Sequence, residues 1–361
     1  MKKIILFFFI INFHIISQSA TNFKITEFGV FNFAERNQLK PNIEIKKERM
    51  DNKTLAPCFS HFKLPRNGYK FQINETSTIV TKKGLRVTIP PGAFLYSNFA
   101  YASGVGTLYV YEVTEPFEYM IAGVNHIYYD KQNRINYLEL AGMFRIEVFQ
   151  DNNRLRLAND KKIQVEFPDL APGKKVHYFM LDDTGNWTLK NEFGTYEIFK
   201  PQKTSDANHK YTGTRKGTVE YLTWYAFGIP HLETTSLKVE WEDPKKIAGR
   251  NFQVVVIGID HISYFMKWTD RTEIILPAFQ NKTYRLYLCD DLGNYSTLDE
   301  FTTTSKVGYD YLPDSSDNFR QVLPILKIEK FPRENLASTE TFKSFMKIPS
   351  VNYQVLYKDL E

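Results

Sequence analysis

The sequence predicts an all-β protein, on three observations. Aromatic residues make up 15% of the chain, with 29 Phe and 22 Tyr set among Val, Ile and Thr, the types that fit a pleated, half-buried surface. From residue 76 onward, short runs place apolar residues at alternate positions, which is the period of a strand with one buried face. Between these runs stand Gly, Pro, Asn and Asp, the residues of tight turns. Long helical periodicity is scarce.

Taken in order, residues 1–20 read as a secretory signal. Lys2 and Lys3 precede the apolar stretch from Ile4 to Ile16, and Ser17, Ser19 and Ala20 offer a small-residue cleavage site. The apolar run is about 13 residues, short of the roughly 20 that a membrane span needs, and no later segment reaches that length. Residues 21–75 form an irregular lead-in. Its runs Phe23-Lys-Ile-Thr and Ile43-Glu-Ile-Lys alternate like edge strands.

Residues 76–232 form the larger β domain. Thr78-Ile-Val-Thr, Leu85-Arg-Val-Thr-Ile, Thr107-Leu-Tyr-Val-Tyr-Glu-Val, Phe144-Arg-Ile-Glu-Val-Phe and Ile163-Gln-Val-Glu-Phe are its first strands. Lys83-Gly84, Pro90-Pro-Gly92, Asp151-Asn-Asn153 and Ala171-Pro-Gly173 divide them. Val176-His-Tyr-Phe-Met-Leu, Asp182-Asp-Thr-Gly-Asn and Trp187-Thr-Leu read as a hairpin with Gly185 at the position of positive φ. Residues 200–217 read as a loop, and 218–228 as an aromatic strand ended by Pro230. A boundary near 229–236 leads to a smaller sandwich over 233–304. Its strands are Leu237-Lys-Val-Glu-Trp, Phe252-Gln-Val-Val-Val-Ile-Gly, Tyr264-Phe-Met-Lys-Trp, Glu273-Ile-Ile-Leu and Thr283-Tyr-Arg-Leu-Tyr-Leu-Cys. Their spacing fits an immunoglobulin-like or prealbumin-like unit. Residues 305–361 are an irregular tail, repeatedly broken by Pro, with room for one short helix in 334–347.

The balance of 46 Lys plus Arg against 41 Asp plus Glu gives a formal charge of +5, or +3 once Lys2 and Lys3 leave with the signal, and predicts no nucleic-acid role. Two cysteines, Cys58 and Cys289, leave open a single disulfide or two buried thiols in an exported chain.

The stretch Lys83-Gly-Leu-Arg-Val-Thr-Ile-Pro-Pro-Gly-Ala-Phe94 resembles the opening of a ZU5-type β domain, in which a strand ends in I-P-x-G-A. Gly142-Met-Phe-Arg-Ile-Glu-Val and Ile163-Gln-Val-Glu-Phe-Pro resemble its later strands. With Ala141-Gly-Met-Phe144, the Asp182–Trp187 hairpin and Trp224-Tyr-Ala-Phe-Gly228, the chain is similar over roughly 78–304 to large exported proteins of Bacteroidota-type bacteria. The resemblance implies a fold and a compartment, and no catalytic residue. Some ZU5 relatives cleave themselves at His-Phe-Ser or His-Phe-Thr; here Lys63 follows His61-Phe62, so the hydroxyl nucleophile is missing.

No nucleophile elbow, P-loop or H-E-x-x-H motif occurs, and no two histidines beyond the signal lie at metal-pair spacing. The chain is therefore read as non-enzymatic, with no catalytic, cofactor or metal residue assigned. Asp182-Asp-Thr-Gly-Asn-Trp187 and Asp290-Asp-Leu-Gly-Asn-Tyr295 echo each other. Their carboxylates suggest a calcium site, but hairpin turns explain them better. Trp224, Tyr225, Tyr128 and Tyr129 are the residues offered as a partner or ligand surface. The reading is an exported periplasmic or surface protein, without a membrane span when mature, that binds or scaffolds an envelope protein. The irregular tail would order on that partner. The alternative is a carbohydrate-binding accessory protein.

Overall fold

The computed structural model describes residues 59–349 except 60, 125, 133, 172, 192–194, 199–212, 244, 246–249, 251, 260–262, 270–273, 291, 306–319 and 325. The signal, Cys58 and the runs at 23–26 and 43–46 lie outside the described residues. The described chain is all-β. Its strands begin with β1 (Asn67–Gln72), β2 (Ser77–Val80), β3 (Arg86–Ile89), β4 (Phe94–Leu95) and β5 (Val105–Val113). After helix α1 (Pro116–Ala122) come β6 (Ile127–Tyr129), β7 (Ile135–Gln150), β8 (Asn153–Arg154), β9 (Arg156–Leu157) and β10 (Ile163–Pro168). β11 (His177–Leu181), β12 (Trp187–Asn191), β13 (Thr195–Ile198), β14 (Gly213–Val219) and β15 (Trp224–His231) complete the larger unit. The rest of the chain adds β16 (Thr235–Val239), β17 (Phe252–Gly258), β18 (Tyr264–Thr269), β19 (Ile274–Ala278), β20 (Thr283–Asp290) and β21 (Asn294–Thr302). It closes with β22 (Arg320–Val322), β23 (Glu329–Lys330) and helix α2 (Thr339–Phe345).

One sheet runs β1-β5-β7-β15-β11-β12-β6 and closes on itself, because β6 also pairs with the start of β7. A five-stranded sheet, β13-β14-β10-β3-β2, belongs to the same core. Between the two sheets lies a stack of rings: Phe144 on Phe167 at 5.9 Å, Phe144 on Tyr225 at 5.6 Å and Tyr178 on Tyr225 at 5.4 Å. Glycines make room for it. Between β7 and β15 the register slips, with Ala226 opposite Met143 but Gly228 opposite Leu140. Gly142 sits in that bulge at φ +119°, and a Cβ there would stand 2.1 Å from the Phe167 ring.

Several expectations move. β1 lies in the lead-in yet pairs with β5 in full register, so the first sheet begins before residue 76. β14 occupies part of the expected 200–217 loop, and the single strand expected over 218–228 is two strands joined by a turn at 220–223. The Tyr225 hydroxyl holds that turn, accepting from the amides of Glu220 and Tyr221 and donating to the Tyr221 carbonyl. Pro230 does not end its strand. By that point β11 no longer pairs with β15, whose last described partner there is Gly228, so no ladder donor is missed. α1, not foreseen, opens with a capping box between Glu115 and Glu118 and Pro116 at its first position.

The smaller unit does not stand apart from the larger one. β17 is buried along its whole length, because its sheet has two covered faces. Val254, Val256, Leu286 and Leu288 face a core shared with β16 and β19, while Val255, Ile257, Tyr287 and Cys289 belong to the core of the larger unit. Tyr137 of β7 crosses the other way and meets Phe265 at 5.5 Å. The described part of the expected irregular tail, residues 320–349 apart from 325, is folded as well. Phe342 of α2 is fully buried against Phe59, Phe62, Phe117 and Phe331, and Arg285 and the Tyr287 hydroxyl both donate to the Lys347 carbonyl. Cys289 is buried and disulfide-bonded.

Candidate binding surface

The aromatics singled out from sequence are mostly interior. Tyr225 is fully buried, Trp224 is 5% and Tyr128 8% exposed, and Tyr129 is half-buried. Tyr128 packs on Phe179 at 5.1 Å. Trp224 lies beside Tyr111 at 6.2 Å with Arg145 over its ring. Rings at adjacent positions of a strand point to opposite faces, but over Trp224–Gly228 of β15 both faces are covered. Tyr128, Trp224 and Tyr225 fill the fold, and the four are not gathered into one exposed surface.

The two echoed turns share one geometry. The Asp182 carboxylate accepts from the amides of Thr184 and Asn186, and the Asp290 carboxylate from those of Leu292 and Asn294. Gly185 and Gly293 take φ of +80° and +81°. The carboxylates spend their oxygens closing the hairpins, and Asp290 also receives Arg250 at 3.1 Å. No cluster of three metal-ligating side chains occurs among the described residues.

Two buried carboxyls have displaced pKa values. Burial pushes Glu112 up to about 7, against the hydrogen bond from Thr81 at 2.8 Å and the nearby Lys83 ammonium. Lys83 also donates to the carboxylate of Glu118, whose second oxygen accepts from the amides of Thr114 and Glu115. Glu139 goes the other way. Burial opposes its charge, but bonds from His231 at 3.1 Å and Lys174 at 2.7 Å hold it down to about 2. Both groups tie separate elements together.

The surface with ligand character is elsewhere, in a hairpin that the sequence reading passed over. β4 pairs with β9, and the chain then turns back so that Leu95 bridges Tyr101 and the Ala102 amide donates to the Phe94 carbonyl. At the tip, the Phe99 amide donates to the Tyr96 carbonyl and the Tyr96 amide to the Ala100 carbonyl. This is a type I turn followed by a left-handed residue, where Gly or Asn is the usual occupant. Here Phe99 takes it, at φ +66°, with 71% of its surface exposed. Such a conformation costs a bulky residue on the order of 1 kcal/mol. Tyr101, two residues on, is 63% exposed. The base is rigid: the Tyr96 hydroxyl donates to Gln150 at 2.6 Å, and the Gln150 amide donates to the Ser103 carbonyl at 2.6 Å.

Between this hairpin and residues 156–160 runs a groove of about 360 Å³, lined by Leu95, Phe99, Tyr101, Arg156, Asn159 and Asp160 among others. A larger hollow, about 520 Å³, lies beside α2; two of its lining residues, Arg285 and Glu300, pair with each other, and Lys347 pairs with Asp299 outside it. The hairpin groove thus combines displayed rings with polar groups at one place. A clue existed in Tyr96-Ser-Asn-Phe-Ala-Tyr101: Ser-Asn favours a turn, and the position after it carries an aromatic instead of glycine. The chain matches no protein-family model and no curated protein.

Proposed function

We propose that this protein is a non-catalytic binding and scaffolding component of a bacterial cell envelope, exported to the periplasm or the cell surface, and that it binds through the 94–102 hairpin. The larger unit is read as ZU5-like, on the 83–94 stretch and the strands that follow it, and the smaller one as immunoglobulin- or prealbumin-like. The single observation that carries the binding role is Phe99. A bulky apolar residue stands in water, in a backbone conformation that opposes it, on a firmly anchored base. Structures that keep such strain at an exposed position commonly use it for contact.

The leading partner is an envelope protein, which would take Phe99 and Tyr101 as anchors. A second reading, a surface carbohydrate, is favoured by the planar polar side chains Arg156, Asn159 and Asp160 lining the same groove. The experiment is affinity capture from the producing cell's own envelope after mild cross-linking, comparing the mature protein with a Phe99→Asn/Tyr101→Ala variant. Capture that depends on these two exposed side chains supports the hairpin surface. Identical capture by both forms refutes it.

A further inference from the structure

We propose that the groove between the 94–102 hairpin and residues 156–160 is a saccharide subsite that takes a short stretch of neutral glycan; this rests on the reading that the hairpin is the binding surface. Size is the first argument. About 360 Å³ falls inside the range of roughly 300–1,000 Å³ typical of small-ligand sites. The groove has room for a few sugar rings.

Chemistry is the second argument. A pyranose has C–H-rich faces and a rim of hydroxyls, each able to donate and accept. Phe99 and Tyr101 supply exposed aromatic rings for the faces, above an apolar floor of Leu95 and Leu157. Asn159, Asp160 and Arg156 supply planar groups that pair with neighbouring hydroxyls, the carboxylate accepting, the guanidinium donating and the amide doing both. Arg156 and Asp160 leave the lining balanced in formal charge, with Lys161 beside it at 3.9 Å from the Asp160 carboxylate; a lining of this kind suits a neutral ligand and predicts weak dependence on salt.

Rigidity is the third. The Tyr96–Gln150–Ser103 chain of hydrogen bonds fixes the base of the hairpin, so little ordering remains to be paid for on binding. Phe99, Tyr101, Asn159 and Asp160 are all exposed, so substituting them leaves the core intact.

The test is electrophoresis of the mature protein through gels containing polysaccharide extracted from the producing cell's envelope, with calorimetry on a panel of neutral oligosaccharides. The expected result is retardation of the wild type, lost by at least about tenfold in affinity in Tyr101→Ala and by about tenfold in Asp160→Ala, and little changed by added salt. Retardation that Tyr101→Ala leaves intact overturns the subsite. No retardation of the wild type, with protein capture still abolished by Phe99→Asn/Tyr101→Ala, also overturns the saccharide but leaves the hairpin surface standing. If neither readout depends on the hairpin, both readings fall.

Discussion

Replacing Gly142 by alanine tests the packing of the larger unit at its tightest point. The backbone there, at φ +119°, lies in a region that side chains avoid, at a cost of about 1–3 kcal/mol. The new methyl would also stand 2.1 Å from the Phe167 ring, which is fully buried and stacked on Phe144. Since that ring cannot swing into solvent, forcing it aside adds roughly 1–3 kcal/mol of overpacking. The sum, about 4 kcal/mol, is a large share of the 5–15 kcal/mol that holds an ordinary domain together. Gly173→Ala is the control: its φ is +74°, but nothing lies within 4 Å of the added Cβ, so only strain of about 1 kcal/mol is expected. Urea unfolding followed by near-ultraviolet circular dichroism, which reports the aromatic stack, should show Gly142→Ala destabilised by about 3 kcal/mol more than the control. Adding Phe167→Leu should recover part of that loss, because it removes the clashing ring atoms. Equal losses for the two glycine variants, or no coupling to Phe167, would refute the argument.

Three further outcomes are expected. A folded-state pKa of about 7 for Glu112 against 4.5 unfolded means the folded protein holds this proton more tightly; the resulting stability is full below pH 4.5 and is lost as pH rises through 7, by about 3 kcal/mol. Glu112→Gln should remove that slope in pH-dependent melting, and an unchanged slope would assign it to other groups. Phe342→Ala should cost about 3–5 kcal/mol in chemical unfolding if α2 is part of the core; a loss below about 1 kcal/mol would show a loosely attached tail. Thiol titration of the denatured, unreduced protein should find no reactive cysteine, because Cys289 is disulfide-bonded, and a full thiol equivalent would contradict that bond.

Much of the architecture was legible in alternation. The runs at 85–89, 144–149 and 163–167 all became strands because one face of each had a core to meet, and the echoed Asp-Asp-x-Gly-Asn turns closed hairpins as turn chemistry requires. What alternation cannot give is how units share cores. Phe252-Gln-Val-Val-Val-Ile-Gly carries apolar residues at both parities, the mark of a strand covered on both sides. Read as one wall of a small separate sandwich, it concealed the face turned toward the larger unit. The tail looked too thin for a core because Phe331, Phe342 and Met346 complete a core built by other segments. The candidate surface stayed hidden for a related reason. Aromatic density marks both filler and contact rings, and Trp224 and Tyr225 proved to be filler. Phe99 differs by occupying a glycine-like turn position, and hydrogen bonds set its φ where composition says nothing.

Hydrogen exchange on the protein with and without solubilised envelope material of the producing cell tests the proposed surface most directly. Slowed exchange is expected, confined to amides of the 94–102 hairpin and residues 156–160 and lost in Phe99→Asn/Tyr101→Ala. Protection mapped to other surfaces, with the hairpin unchanged, would contradict it.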